Sequence, residues 1–141
     1  MPVAVVDTGV VIGMIDSGDQ RHEVATEIGR GIDRGDLPTG RVTNYVVLEA
    51  LNWIHGRRRH ETAVEAQRRL KQSAGFEIVQ AAQTDFSRAE ELFGTYEGLS
   101  FGDATIVAYM ERTDVEYLYS FDDDFDAIDD ITRLAIAENP F

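Results

Sequence analysis

Four acidic residues, Asp7, Glu49, Asp103 and Asp122, lie against apolar segments of the chain. Asp7 closes the run Val3-Ala4-Val5-Val6, and Glu49 interrupts Tyr45-Val46-Val47-Leu48-Glu49-Ala50-Leu51. Asp103 opens Ala104-Thr105-Ile106-Val107-Ala108-Tyr109-Met110, and Asp122 follows Tyr117-Leu118-Tyr119-Ser120-Phe121. Carboxylates beside core-forming segments are costly to desolvate unless a cation neutralises them. The only lysine is Lys71, and few arginines fall near these segments. A divalent cation would do the neutralising. Hard ions such as Mg²⁺ prefer oxygen ligands, keep several waters and bridge carboxylates to a phosphate. The chemistry this supports is in-line attack of an activated water on phosphorus, with no side-chain nucleophile required.

Taken singly, each acid has an ordinary structural explanation. Asp7 could cap a following helix, and Asp103 in a first helical turn would complement the helix dipole. Asp122 belongs to Asp122-Asp123-Asp124-Phe125-Asp126, where a solvated charge run is the usual reading. Glu49 is harder to account for, flanked within its helix by Val46, Leu48, Ala50 and Leu51. Only the joint placement points to one site.

The elements that would position these acids alternate in type. Residues 3–7 are apolar and β-branched and read as a short buried strand. An apolar helix follows over 10–15, broken near Ser17-Gly18-Asp19, and a second spans 20–33 with His22, Ala25, Ile28 and Ile32 on one face. Gly35 and Pro38 end it. Residues 41–43 suit a strand, and Thr43 or Asn44 suits the N-cap of a helix over 45–56. Another helix is expected over 61–74, closed by Gly75, then a strand over 76–79. Thr84 or Asp85 would cap a helix reaching Tyr96, with Gly98 as its stop, and Ser100 would cap the next over 101–112. Residues 117–121 read as a strand and 131–134 as a last, edge strand. Such alternation demands parallel pairing with crossovers, giving an α/β fold with a central parallel sheet of about five strands flanked by helices. Ligands in these sheets gather beyond the carboxyl ends of the strands. Asp7 and Asp122 fall at strand ends, and Glu49 and Asp103 near the starts of helices that open on the same edge. Four acids scattered in sequence can therefore converge.

Length and composition narrow the class. The 141 residues are 43% hydrophobic, enough for one domain over 1–141 with a full core. No apolar run could span a bilayer, and no signal-like segment is evident, so a cytoplasmic location is expected. Absence of cysteine excludes disulfides and zinc–thiolate sites. Acidic residues number 26 against 13 basic ones, a net charge of −13, which suggests a halophilic source whose salt screens the self-repulsion. Such a charge argues against nucleic acid as partner, with a local exception. Arg57-Arg58-Arg59-His60, followed by Arg68, Arg69 and Lys71, concentrates cations in one stretch of the chain. That block either holds phosphates or forms a solvated helix face balancing Glu61 and Glu65.

Several familiar signatures fail. Gly98-Leu99-Ser100-Phe101-Gly102 has the nucleophile-elbow pattern but follows a helix, and none of His22, His55 and His60 comes after Ser100. Asp122, Asp124 and Asp126 imitate an EF-hand start, yet Ala127 stands where glycine is needed and Arg133 where glutamate is needed.

Val5-Val6-Asp7-Thr8-Gly9-Val10-Val11, Thr43-Asn44-Tyr45-Val46-Val47-Leu48-Glu49-Ala50, Leu99-Ser100-Phe101-Gly102-Asp103-Ala104 and Ser120-Phe121-Asp122-Asp123-Asp124-Phe125 resemble, in order, the acidic motifs of PIN-domain ribonucleases. The likeness is strongest to VapC-type toxins of toxin–antitoxin pairs and extends over essentially the whole chain. It implies a metal-dependent endoribonuclease in which Asp7, Glu49, Asp103 and Asp122 hold Mg²⁺ or Mn²⁺, with Asp7 and Asp103 the firmest ligands. Thr8 matches the family's small hydroxyl position. Asp124 and Asp126 compete with Asp122, which is preferred because it directly follows the strand. Arg57, Arg58 and Arg59 become candidates for RNA contact. The resemblance also implies a small antitoxin partner and a homodimer. Other readings of the same residues are an RNA-processing PIN nuclease that is not a toxin, a non-catalytic binding module, and a metal-dependent phosphatase acting on a small substrate.

Overall fold

In the computed structural model, which describes residues 2–141, strands and helices alternate and every strand pair is parallel. The order is β1 (Val3–Val6), α1 (Thr8–Ile15), α2 (His22–Arg34), β2 (Thr39–Thr43), α3 (Asn44–Arg57), α4 (His60–Gln72), β3 (Phe76–Val79), α5 (Gln83–Thr95), α6 (Phe101–Thr113), β4 (Tyr117–Tyr119) and β5 (Thr132–Leu134). The sheet runs β3-β2-β1-β4-β5. β1 is central because three of its four side chains, Ala4, Val5 and Val6, are fully buried. A strand covered by helices on both faces reads as a continuous apolar run rather than an alternating one. Val5 pairs with Arg41 of β2 on one side and with Leu118 of β4 on the other. The chain therefore builds outward from β1 in one direction, then returns to build in the other. The carboxyl end of β1 is the switch point, where such sheets open a crevice.

Val5, Val6, Ile28, Ile106, Met110, Leu118 and Tyr119 form the heart of the core. No helix among the described residues is long and apolar enough to cross a membrane.

Several boundaries differ from the sequence reading, each for a local reason. α4 ends at Gln72 with Ser73 as its cap, so Gly75 does not close it. Gly75 serves a close approach instead: a Cβ there would collide with the Ile32 carbonyl group near the end of α2. α5 begins at Gln83 with Ala82 as N-cap. Asp85 is inside the first turn and reaches back to accept the Ala82 N–H at 2.7 Å. β4 stops at Tyr119 rather than at position 121, because Ser120 turns its hydroxyl toward Asp7. The acidic run after it is not merely solvated. Asp123–Ala127 forms a 3₁₀ turn, with Asp122 as its N-cap and Phe125 fully buried as its anchor. Elsewhere the chain behaves as its turn residues dictate. Gly35 takes φ +80 at the end of α2, a conformation with no penalty only for glycine.

Candidate active site

The first acid stands at the switch point. Asp7 follows β1 as the N-cap of α1 and is buried, 7% exposed. Its Oδ1 accepts the Thr8 N–H at 2.8 Å, and its Oδ2 accepts the Ser120 hydroxyl at 2.7 Å. The same Ser120 oxygen accepts the Asp122 N–H at 3.0 Å. One fully buried serine thus ties the exits of β1 and β4 together and fixes the acids that follow both.

The other two acids arrive on helices. Ser100 caps α6 and accepts the Asp103 N–H at 3.1 Å, which sets Asp103 in the first turn. Thr43 caps α3 through the Val46 N–H at 3.2 Å. Glu49 lies on the next turns of α3 and is exposed, not embedded among its apolar neighbours as the sequence alone suggested. Val46, Ala50 and Ile54 take the buried face, so Leu48 and Glu49 point outward. Glu49 meets α6 at Gly102, where a Cβ would lie 3.0 Å from its Oε2.

These carboxylates share one electrostatic field. Burial raises the Asp7 carboxyl to about 6, and the charges of Asp122 and Glu49 add to it against the Ser120 and Thr8 hydrogen bonds. Burial also raises Asp103, to about 7, with Asp7 and Asp122 contributing. Among the described residues none of the four acids is in an ion pair, whereas arginines pair with Asp16, Asp85 and Asp126. An all-oxygen donor set without a counter-charge fits a hard divalent cation such as Mg²⁺ or Mn²⁺ and suits zinc or copper poorly. The tightest acidic trio among the described residues is Asp122, Asp123 and Asp124, whose oxygens lie within 4.8 Å of one another. Asp122 belongs to both groupings. The remaining acids stand further apart, a spacing that repulsion between uncompensated carboxylates favours.

The three acids competing after β4 have different occupations. Asp126 is held by Arg133 in a two-pronged contact at 2.9 and 3.0 Å, which keeps its carboxyl below the usual range. Asp124 donates its backbone N–H to Asp122 at 2.9 Å and lies against Gly98, its carboxyl raised by the Asp122 charge. Asp122 alone of the three contributes to the field at both Asp7 and Asp103. Thr8 reaches Asp7 through its backbone, not its hydroxyl.

The arginine block divides. Arg58 grips buried Asp16 at 3.0 and 3.1 Å, joining the ends of α1 and α3. Arg59 is exposed beside Glu61, and Arg68 pairs with Glu65 along α4, which is the solvated-face arrangement. Arg57 instead stacks on Trp53 at 4.6 Å. It lines a groove of about 580 Å³ between α3, α5 and α6, with Tyr45, Leu48, Phe86 and Phe101 along its walls and Thr8 and Glu49 at its edge. Trp53 is therefore half-buried in a groove wall and not in the deep core.

Ser120 and Gly102 escaped the sequence reading as site residues. The available signals were a serine between a buried strand and an acid, and a glycine immediately before one. Neither is distinctive until the strands and helices are placed.

The PIN domain family matches residues 4–131. Among solved structures, the chain resembles VapC20 of Mycobacterium tuberculosis, a sarcin–ricin-loop-cleaving toxin, with 25% identity and a TM-score of 0.76 over 90% of this chain and 95% of that one. It also resembles VapBC2 of Rickettsia felis, solved bound to a DNA fragment from their promoter, at 12% identity and TM-score 0.71, covering 94% and 97% of the two chains. A third likeness is to VapBC-1 of nontypeable Haemophilus influenzae, at 14% identity and TM-score 0.66 over 94% and 96%. No curated protein matches the chain.

Proposed function

The chain belongs to the PIN-domain family, and from that premise we propose that it is a Mg²⁺- or Mn²⁺-dependent endoribonuclease, the toxin of a toxin–antitoxin pair. One observation carries the reading: the carboxylates of Asp7, Glu49, Asp103 and Asp122 stand near enough to the sheet's switch point to act on one another's charge, with no basic side chain paired to them among the described residues. Asp7, Asp103 and Asp122 would hold the ion, with Glu49 completing the set from α3. The ion would supply Lewis acidity, activating water and offsetting charge on the phosphate. Ser120 keeps Asp7 and Asp122 in fixed relation by bonding to both. Glu49, exposed beside Gly102, has room to accept a proton from the incoming water. Arg57, propped on Trp53 in the adjoining groove, offers donors to the RNA backbone.

The similarity to VapC20 makes a structured RNA loop the first substrate to try. An antitoxin partner is supported by the resemblance to toxin–antitoxin complexes and by the apolar groove beside Glu49, where Leu48 is 59% and Phe86 43% exposed. A homodimer is a further part of the proposal.

Calorimetric titration with Mn²⁺ in molar KCl, followed by cleavage of an RNA panel, tests the reading. Wild-type protein should bind Mn²⁺ and cut RNA, and Asp7→Asn and Asp103→Asn should each lose both. Mn²⁺ binding untouched by either substitution would place the ion elsewhere and sink the proposal.

A further inference from the structure

Seven of the described arginines pair with a carboxylate. Two others stand over aromatic rings and are in no ion pair among the described residues: Arg57 over Trp53, and Arg21 over Phe121 at 5.1 Å. Arg21 is exposed, yet its backbone is pinned on both sides. Its N–H donates to Asp19 Oδ1 at 2.7 Å, and its carbonyl accepts the Ala25 N–H at 2.9 Å. Phe121 is half-buried against the core, between Ser120 and Asp122. The ring carrying Arg21 is thus placed by the same chain segment that places the fourth acid.

Each of the two arginines is tied to a segment that carries one of the four acids. Arg57 is on α3, which also bears Glu49, and Phe121, beneath Arg21, directly precedes Asp122. Stacking occupies the face of a guanidinium and leaves its in-plane N–H donors free for a phosphate, whereas a carboxylate pair would consume them. In a chain of net charge −13, local cations must hold phosphates near acids that otherwise repel them.

We propose that Arg21, held over Phe121 beside Asp122, is a phosphodiester-binding residue that holds the RNA backbone next to the four carboxylates. This rests on the ribonuclease reading above. It assigns binding to a residue outside the acidic motifs and the arginine block.

The test is steady-state RNA cleavage across a KCl series by wild type, Arg21→Ala and Arg21→Lys, with Mn²⁺ affinity of each measured by calorimetry. Arg21→Ala should raise KM roughly tenfold with kcat nearly unchanged, and lower the slope of log kcat/KM against log [KCl] by about one. Arg21→Lys should keep the wild-type slope, since it keeps the charge, and Mn²⁺ affinity should match wild type in both. Wild-type KM and slope in Arg21→Ala would overturn the inference. So would an Arg21→Lys variant as impaired as Arg21→Ala in slope, which would mark a packing role. If wild type itself bound no Mn²⁺ and cut no RNA, the ribonuclease reading would fail and take this one with it. Cleavage by wild type with an indifferent Arg21→Ala would remove this inference alone.

Discussion

At the residue scale, Asp7 and Asp103 are carboxylates that the fold makes reluctant to ionise. Burial is the main cause at both, reinforced by neighbouring acids. In the unfolded chain each loses its proton near pH 4, but in the folded protein they hold it to about 6 and about 7. Between those limits the folded state binds more protons, so metal-free stability must fall as pH rises from about 4 to about 7. The rise from 3.8 to about 6 at Asp7 corresponds to about 3 kcal/mol. Asp16 and Asp126 shift the other way. Burial pushes Asp16 up, but its bonds to Arg58 prevail and hold it low; Arg133 holds Asp126 low. Their contributions are lost only as pH drops below about 4, outside this window. Urea denaturation in EDTA from pH 4 to 8 should show the decline, and saturating Mn²⁺ should flatten it. Asp103→Asn should shrink the slope and stabilise the metal-free protein at pH 8 by about 1–3 kcal/mol. A pH-independent metal-free stability would contradict this assignment.

At the element scale, the site depends on where α3 and α6 touch. α3 turns Val46, Ala50 and Ile54 inward, which leaves Glu49 on its outer side facing Gly102 at the start of α6. The absent side chain of Gly102 is what admits the Glu49 carboxylate. Gly102→Ala separates fold from site, because the group it would displace is the far end of a flexible side chain. Helix propensity favours alanine by up to about 1 kcal/mol, so the melting temperature should hold or rise. Mn²⁺ affinity, read by calorimetry, should fall roughly tenfold as Glu49 is pushed aside. A variant that loses stability but binds Mn²⁺ normally would show that Gly102 serves packing instead. Arg58 illustrates the same division of labour: its grip on Asp16 braces α1 against α3, so its charge is committed to the fold.

At the scale of the whole molecule, net charge bears on stability. A net charge of −13 on 141 residues brings self-repulsion that salt screens, with a Debye length of about 3 Å at 1 M. The melting temperature should therefore climb as KCl is raised from about 0.1 M toward molar concentrations. A flat profile would remove the halophilic expectation.

Much of this was legible in the residues. Apolar β-branched runs, capping residues such as Thr43 and Ser100, and the turn at Gly35 determine the alternation of strands and helices, because those signals act over a few residues. Parallel pairing follows, and with it the edge on which acids at strand ends must gather. What the chain alone could not settle is which side chains face one another across that edge. The exposure of Glu49, the different partners of Asp122, Asp124 and Asp126, the commitment of Arg58 to Asp16 and the bridging position of Ser120 all depend on how the segments pack. The physical reason is range. Propensity and capping energies are local, whereas burial, repulsion between carboxylates and the competition of acids for each arginine are decided only when the strands and helices have been brought together.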